Sequence, residues 1–217
     1  MKTKALIFDL DGVIVDTAKY HFLAWKSLSD ELGLVFNEQI NERLKGVSRM
    51  RSFEIILEEN GAEKRFSEAE KEEYIKKKND LYVSFIKRLT PDDMLPGVAE
   101  FIGKAKEHGL KTAVASVSKN APAVLEALGA TDKFDYVADA AKVGRSKPAP
   151  DIFLVCAEAL GVDPADCIGI EDAQAGIEAI KAAGMYSVGI NVTVTSVEPD
   201  LHLKSTSQLD FEKIVFR

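Results

Sequence analysis

KALIFDLDGVIVDT, residues 4–17, runs four apolar residues, Ala5 to Phe8, into two aspartates, Asp9 and Asp11, separated only by Leu10. A short apolar run closed by the turn-forming pair Asp11-Gly12 reads as a buried strand leaving the core at its carboxyl end. Two accounts of the acids are open at this point. Either they make the turn, or a site at the end of the strand needs them, and the letters DLDG alone do not choose.

Downstream, TAKYHFLAWKSLSDELG carries Ala18, Phe22, Trp25, Leu28 and Leu32 at helical spacing, with Thr17 available as a cap. SFEIILEENG and SEAEKEEYIKKKNDLYVSFIKRL continue in the same period, with KGVSR at 45–49 as a loop between helical stretches, so residues 17–90 are expected to be wholly helical. TPDDMLPG reads as a linker. Beyond it helix and strand alternate: GVAEFIGKAKEHG, LKTAVAS, APAVLEALGA, FDYVAD, PDIFLVCAEALG, CIGIED, AQAGIEAIKAAG, MYSVGI. The expected fold is α/β: a Rossmann-like parallel sheet with helices on both faces, and an all-helical domain inserted after the first strand. The expected domains are 1–16 with 91–217, the α/β core, and 17–90, the insert.

The 217 residues, 46% hydrophobic and 29% charged, describe an ordinary globular chain. No apolar run is long enough to cross a bilayer and no secretory signal pattern opens the sequence, so a soluble, cytoplasmic protein is expected. A net charge of −7 argues against broad binding to nucleic acid or anionic membrane. Cys156 and Cys167 lie in apolar patterns outside any metal-ligand spacing and are expected as reduced core residues.

In open parallel sheets ligands bind beyond the carboxyl ends of the strands. The residues found there are Asp9 and Asp11, Ser116, the segment leading to Lys147, and Glu171-Asp172. Paired carboxylates at two strand ends repel unless a cation intervenes, and an all-oxygen ligand set suits magnesium with a substrate phosphate. Each residue also has a plain structural account. Asp172 can cap the following helix, Ser116 can be a turn serine, and Lys147 can be a solvated loop lysine.

Taken in order, DLDG, AS, KPAPDIF and GIEDAQAG span the chain and resemble the haloacid dehalogenase superfamily of phosphotransferases. The resemblance implies Asp9 as the nucleophile that becomes an aspartyl phosphate, and Asp11 as general acid and base. It implies Ser116 and Lys147 as phosphate-holding catalytic groups, and Asp9, Asp11, Glu171 and Asp172 around magnesium. In the inserted domain, VDTAKYHFLAW, LKGVSR and KKKND, with ASVSKN and SKPAPDIF from the core, are similar to a sugar-phosphate mutase subgroup whose insert closes as a cap. That similarity implies interconversion of β-D-glucose 1-phosphate and D-glucose 6-phosphate, primed by β-glucose 1,6-bisphosphate.

It further implies substrate contacts from Gly46, Val47, Ser48 and Arg49, from Ser118, Lys119 and Asn120, and from His21, Trp25 and Lys78. Arg49 would grip the phosphate furthest from the reacting centre, while His21 and Lys78 would couple closure to the placement of Asp11. Trp25 and His21 also read as packing residues, and Lys78 as one of a solvated KKK run. Val117 after Ser116, and VGRSK before Pro148, depart from the pattern. A magnesium-dependent sugar-phosphate phosphatase with the same groups is the alternative, and a non-catalytic sugar-phosphate sensor is the rival of another class. A small-molecule sugar phosphate is the expected partner, and a monomer the expected state.

Overall fold

The structure, a computed structural model, describes residues 3–44 and 47–217. The chain forms two compact units, one of residues 17–88 and one of residues up to 16 together with 89–217. No helix among the described residues is long and apolar enough to cross a membrane.

The first unit holds α1 (Ala18–Glu31), α2 (Glu38–Glu42), α3 (Arg49–Glu59) and α4 (Glu68–Ile86). Trp25, Leu28, Phe53 and Ile56 share its apolar centre, each supplied by a helical repeat of three or four residues. Its helix starts show what a cap requires. Ser48 and Ser67 sit in extended backbone, and their hydroxyls accept from the N–H groups of Arg51 and Glu70 at 3.3 Å. Thr17, expected to cap α1, does not. Its backbone (φ −99°, ψ −2°) is already helical, and its buried hydroxyl has no partner among the described residues. Arg49, expected in the KGVSR loop, is already the first residue of α3.

In the second unit, β1 (Ala5–Phe8), β2 (Lys111–Val114), β3 (Tyr136–Val137), β4 (Cys167–Glu171), β5 (Tyr186–Ile190) and β6 (Leu201–Leu203) make one sheet in the order β3-β2-β1-β4-β5-β6. All five pairings are parallel. Around the sheet lie α5 (Val98–Glu107), α6 (Ala121–Ala127), α7 (Asp151–Leu160), α8 (Gln174–Ala182) and α9 (Phe211–Val215).

Central β1 is apolar on both faces because both are covered. Ala5 and Ile7 pack with Phe153 and Cys156 of α7 and Ile177 of α8, whereas Phe8 meets the edge of the Phe101 ring of α5 at 6.2 Å. Phe101 in turn meets Phe211 of α9 at 5.8 Å. Cys156 and Cys167 are free and buried, and burial pushes each thiol up to about 12.

TPDDMLPG is not a linker. Asp93 accepts from the Thr90 N–H and hydroxyl at 2.8 and 3.0 Å, and the Leu95 N–H donates to the Ile14 carbonyl at 2.9 Å, stitching the segment to the turn that follows β1. The sheet's edges are its two shortest strands, β3 with 2 residues and β6 with 3.

Candidate active site

The strand order reverses between β1 and β4, and the register pairs Phe8 with Ile170. The two acidic segments therefore leave neighbouring strands at the same end, where such sheets bind ligands. Asp9, one residue past β1, is still bonded to the neighbouring strand, its N–H donating to the Ile170 carbonyl at 2.9 Å. Its side chain is buried. Lys147, in the segment between β3 and α7, projects a buried ammonium that donates to both Asp9 and Glu171, the latter at 2.8 Å. The other Glu171 oxygen accepts from the Ala173 N–H at 3.2 Å.

Carboxylate oxygens of Asp9, Glu171 and Asp172 lie within 4.8 Å of one another. Asp11 is not one of the three. It sits half-buried in the turn after β1. Burial, reinforced by Asp9, pushes the Glu171 carboxyl up to about 8 despite the ammonium beside it. Burial works against charge on Lys147 too, but Asp9 and Glu171 outweigh it and hold the ammonium well above its ordinary value. Lys147 is bonded to two of the three acids, Asp9 and Glu171. The acids' ligand atoms are all oxygen, so the set fits a hard divalent cation.

Two glycines, Gly176 with no assigned role in the sequence and Gly12 with only a turn-forming one, make the acidic cluster sterically feasible. A Cβ on Gly176 would lie 2.0 Å from the Glu171 carboxyl carbon, and one on Gly12, whose φ is +80°, would lie 2.2 Å from Asp172 Oδ2. The signal was present: each is the glycine that closes its motif, DLDG and EDAQAG. Asp172 is not the cap of α8, a position that Ala173 occupies.

Ser116 lies two residues beyond β2, buried, its hydroxyl accepting from the Ser118 N–H at 3.1 Å. The Ser118 hydroxyl accepts from the Asn120 N–H at 3.2 Å, while Lys119 is exposed. These bonds fix the turn into α6.

In the helical unit, Lys78 Nζ lies 2.7 Å from His21 Nδ1, 4.8 Å from the Trp25 ring centre and 5.1 Å from that of Tyr82. The KKK run therefore splits. Lys76 and Lys77 are exposed in surface pairs with Asp80 and Glu31, and Lys78 is buried. His21 stacks on Tyr82 at 4.0 Å, and burial, then Lys78 and Arg49, hold it well below its ordinary value, in the neutral form. Tyr82 has no role in the sequence reading, although it follows Lys78 by one helical turn.

Trp25 stacks on Phe53 at 6.0 Å. Val47 packs on the apolar centre and Ser48 caps α3. Arg49 is half-buried, lowered by that burial, and forms no ion pair among the described residues. Gly46 lies outside them.

This sheet and acidic centre agree with the comparisons. The haloacid dehalogenase-like hydrolase family matches residues 3–184, and the chain belongs to that family. Within it, the chain is 47% identical over 209 residues to β-phosphoglucomutase of Bacillus subtilis, covering 96% of this chain and 92% of that one. A crystal structure of β-phosphoglucomutase from Clostridium difficile matches with a TM-score of 0.92 at 47% identity, covering 98% of this chain and 95% of that one. The fructose-1-phosphate phosphatase YqaB of Escherichia coli is 34% identical over 187 residues, 86% of this chain and 96% of that one.

Proposed function

We propose that the protein is a β-phosphoglucomutase, converting β-D-glucose 1-phosphate to D-glucose 6-phosphate through a phosphorylated Asp9 and β-glucose 1,6-bisphosphate. The observation that carries the reading is the buried Lys147 ammonium bridging Asp9 and Glu171 at the ends of adjacent strands. A carboxylate held rigidly by a strand and neutralised by a lysine can approach a phosphate dianion.

An Asp9 oxygen attacks the bisphosphate's phosphorus and the bond to the sugar oxygen breaks, with Asp11 supplying the proton to that oxygen. The hydroxyl at carbon 6 of β-glucose 1-phosphate then attacks the aspartyl phosphate, and Asp11 takes its proton. The bisphosphate so formed reverses its orientation and returns its other phosphate to Asp9, releasing glucose 6-phosphate.

Ser116 holds a phosphate oxygen throughout, and Ser118, Lys119 and Asn120 meet the ligand from the same unit. Asp9, Glu171 and Asp172, with Asp11 from the turn after β1, would hold magnesium, which when bound supplies positive charge against the transferring phosphate. Arg49 grips the phosphate that is not reacting, since its fork forms no ion pair among the described residues. The motif resemblance assigns substrate contacts to Val47 and Ser48 at the start of α3, to Trp25, and to His21 and Lys78. The likeness to the mutases of Bacillus subtilis and Clostridium difficile supports a sugar, rather than water, as acceptor.

Phosphorus NMR of the protein with magnesium and β-glucose 1-phosphate, primed by acetyl phosphate, tests the proposal. Glucose 6-phosphate is the expected product, and inorganic phosphate alone would replace the mutase by a phosphatase. Asp9→Asn should form no phosphoenzyme. A phosphate adduct on that variant, seen by mass spectrometry, would remove Asp9 as nucleophile.

A further inference from the structure

The run VGRSK, residues 143–147, departs from the motif around it, and the structure gives Arg145 a specific task. Lys147 lies in a segment without strand or helix between β3 and α7. Inside that segment a backbone bond, Ala149 N–H to the Ser146 carbonyl at 3.0 Å, closes only a local turn. The wider closure runs through one carboxylate. Asp151, the first residue of α7, accepts from the Arg145 backbone N–H at 3.1 Å, from its Nε at 3.2 Å and from its terminal nitrogen at 2.8 Å.

These three bonds bracket Lys147 within the loop that runs from Arg145 to Asp151, and tie it to a helix whose Ile152, Phe153 and Cys156 are buried under the sheet. We propose that Arg145 and Asp151 form a clasp that positions Lys147 for phosphoryl transfer, a role that rests on the function proposed above. An exposed single ion pair is worth little. This one differs in kind, because the planar fork and the main-chain N–H converge on one carboxylate and leave the loop few alternative paths. The ammonium has to reach two buried carboxylates at once, so a small displacement of its backbone is felt at Asp9.

The full chain is used for the test. Arg145→Ala, Arg145→Lys, Asp151→Asn and the double variant Arg145→Ala/Asp151→Asn are compared in two measurements. One is the rate of Asp9 phosphorylation by acetyl phosphate. The other is acetylation of individual lysines by a water-soluble active ester, read by mass spectrometry, with Lys78, buried in the helical unit, as control.

The clasp predicts a rate about tenfold lower in Arg145→Ala, faster acetylation of Lys147 and unchanged acetylation of Lys78. Arg145→Lys should recover little of the rate, since a single ammonium cannot replace the fork. The double variant should be no slower than the slower single one, as members of one unit are not additive. An unchanged rate, an unchanged Lys147, or an equal rise at Lys78 would each overturn the proposal. If wild-type Asp9 takes no phosphate, the functional reading fails, and the Lys147 and Lys78 acetylation then decides the clasp alone.

Discussion

Lys147 and Lys78, the two most deeply buried lysines among the described residues, are held by opposite means. Lys147 lies among carboxylates, bonded to Asp9 and Glu171. Lys78 lies among aromatic rings and an imidazole, those of Trp25, Tyr82 and His21. A carboxylate cage stabilises the charge outright and makes the lysine part of an electrostatic centre. Ring faces and a neutral nitrogen attract an ammonium through the ring quadrupole and a hydrogen bond, and they orient it without supplying formal negative charge of their own. Burial of a lysine is thus no single signal, and its surroundings decide what it can do.

Exchanging each lysine for methionine tests that contrast most severely. Lys147→Met should abolish Asp9 phosphorylation and, in magnesium-free buffer, cost about 3–5 kcal/mol in urea unfolding, because buried carboxylates lose their cation. Lys78→Met should leave phosphorylation by acetyl phosphate intact and cost about 1–3 kcal/mol, the effect of an unsatisfied His21 nitrogen. Equal losses in both measurements would break the distinction.

Arg49 sharpens it from the ligand side. Arg49→Lys keeps the charge but loses the fork, and should cost about 1.5–3 kcal/mol, roughly tenfold to hundredfold in mutase kcat/KM. Acetyl phosphate carries no second phosphate, so its turnover should hardly change. A matching loss there would place Arg49 in the fold rather than at the substrate.

The neutral imidazole gives a pH signature. With His21 held well below 6.5, the unfolded chain takes up a proton that the folded chain does not. Its contribution to stability is therefore complete above pH 6.5 and lost as the pH falls below that value, by at most about 1.4 kcal/mol per pH unit. His21→Phe should flatten the fall in Tm between about pH 7.5 and 5.5, the range that brackets the ordinary imidazole value, and an unaltered slope would contradict a neutral His21. The smallest effect belongs to Thr17→Val. Its hydroxyl is buried without a partner among the described residues, so the change should shift stability by no more than about 0.5 kcal/mol, in either direction.

The parallel sheet and its inserted helices were legible because period and punctuation repeat along the chain. A strand of four apolar residues before Asp9, and another ending in Glu171, located the acids that the fold gathers. What was not legible depended on surroundings. Nothing within KKK tells Lys78 from Lys76. Lys78 turns inward because it shares one side of α4 with Lys71, Tyr82 and Ile86, the other buried residues of that helix, set one or two turns apart. Thr17 looked like a cap by composition and fails by backbone angle. β6 and α9 were missed because LHL and FEKIV are too short to show a period. Roles, as distinct from positions, came from the resemblance of whole motifs.

The short outer strands of the sheet have a consequence for the protein's behaviour at high concentration. A sheet edge is a row of unpaired backbone donors and acceptors, and a long flat edge recruits strands from other molecules. Here the longest strands, β4 and β5 with 5 residues each, are enclosed, while the margins present only 2 and 3 residues. His202, at the middle of β6, is exposed and polar. So abbreviated a template gives an incoming strand little to pair with, which favours a protein that stays dispersed while its apolar strands remain inside.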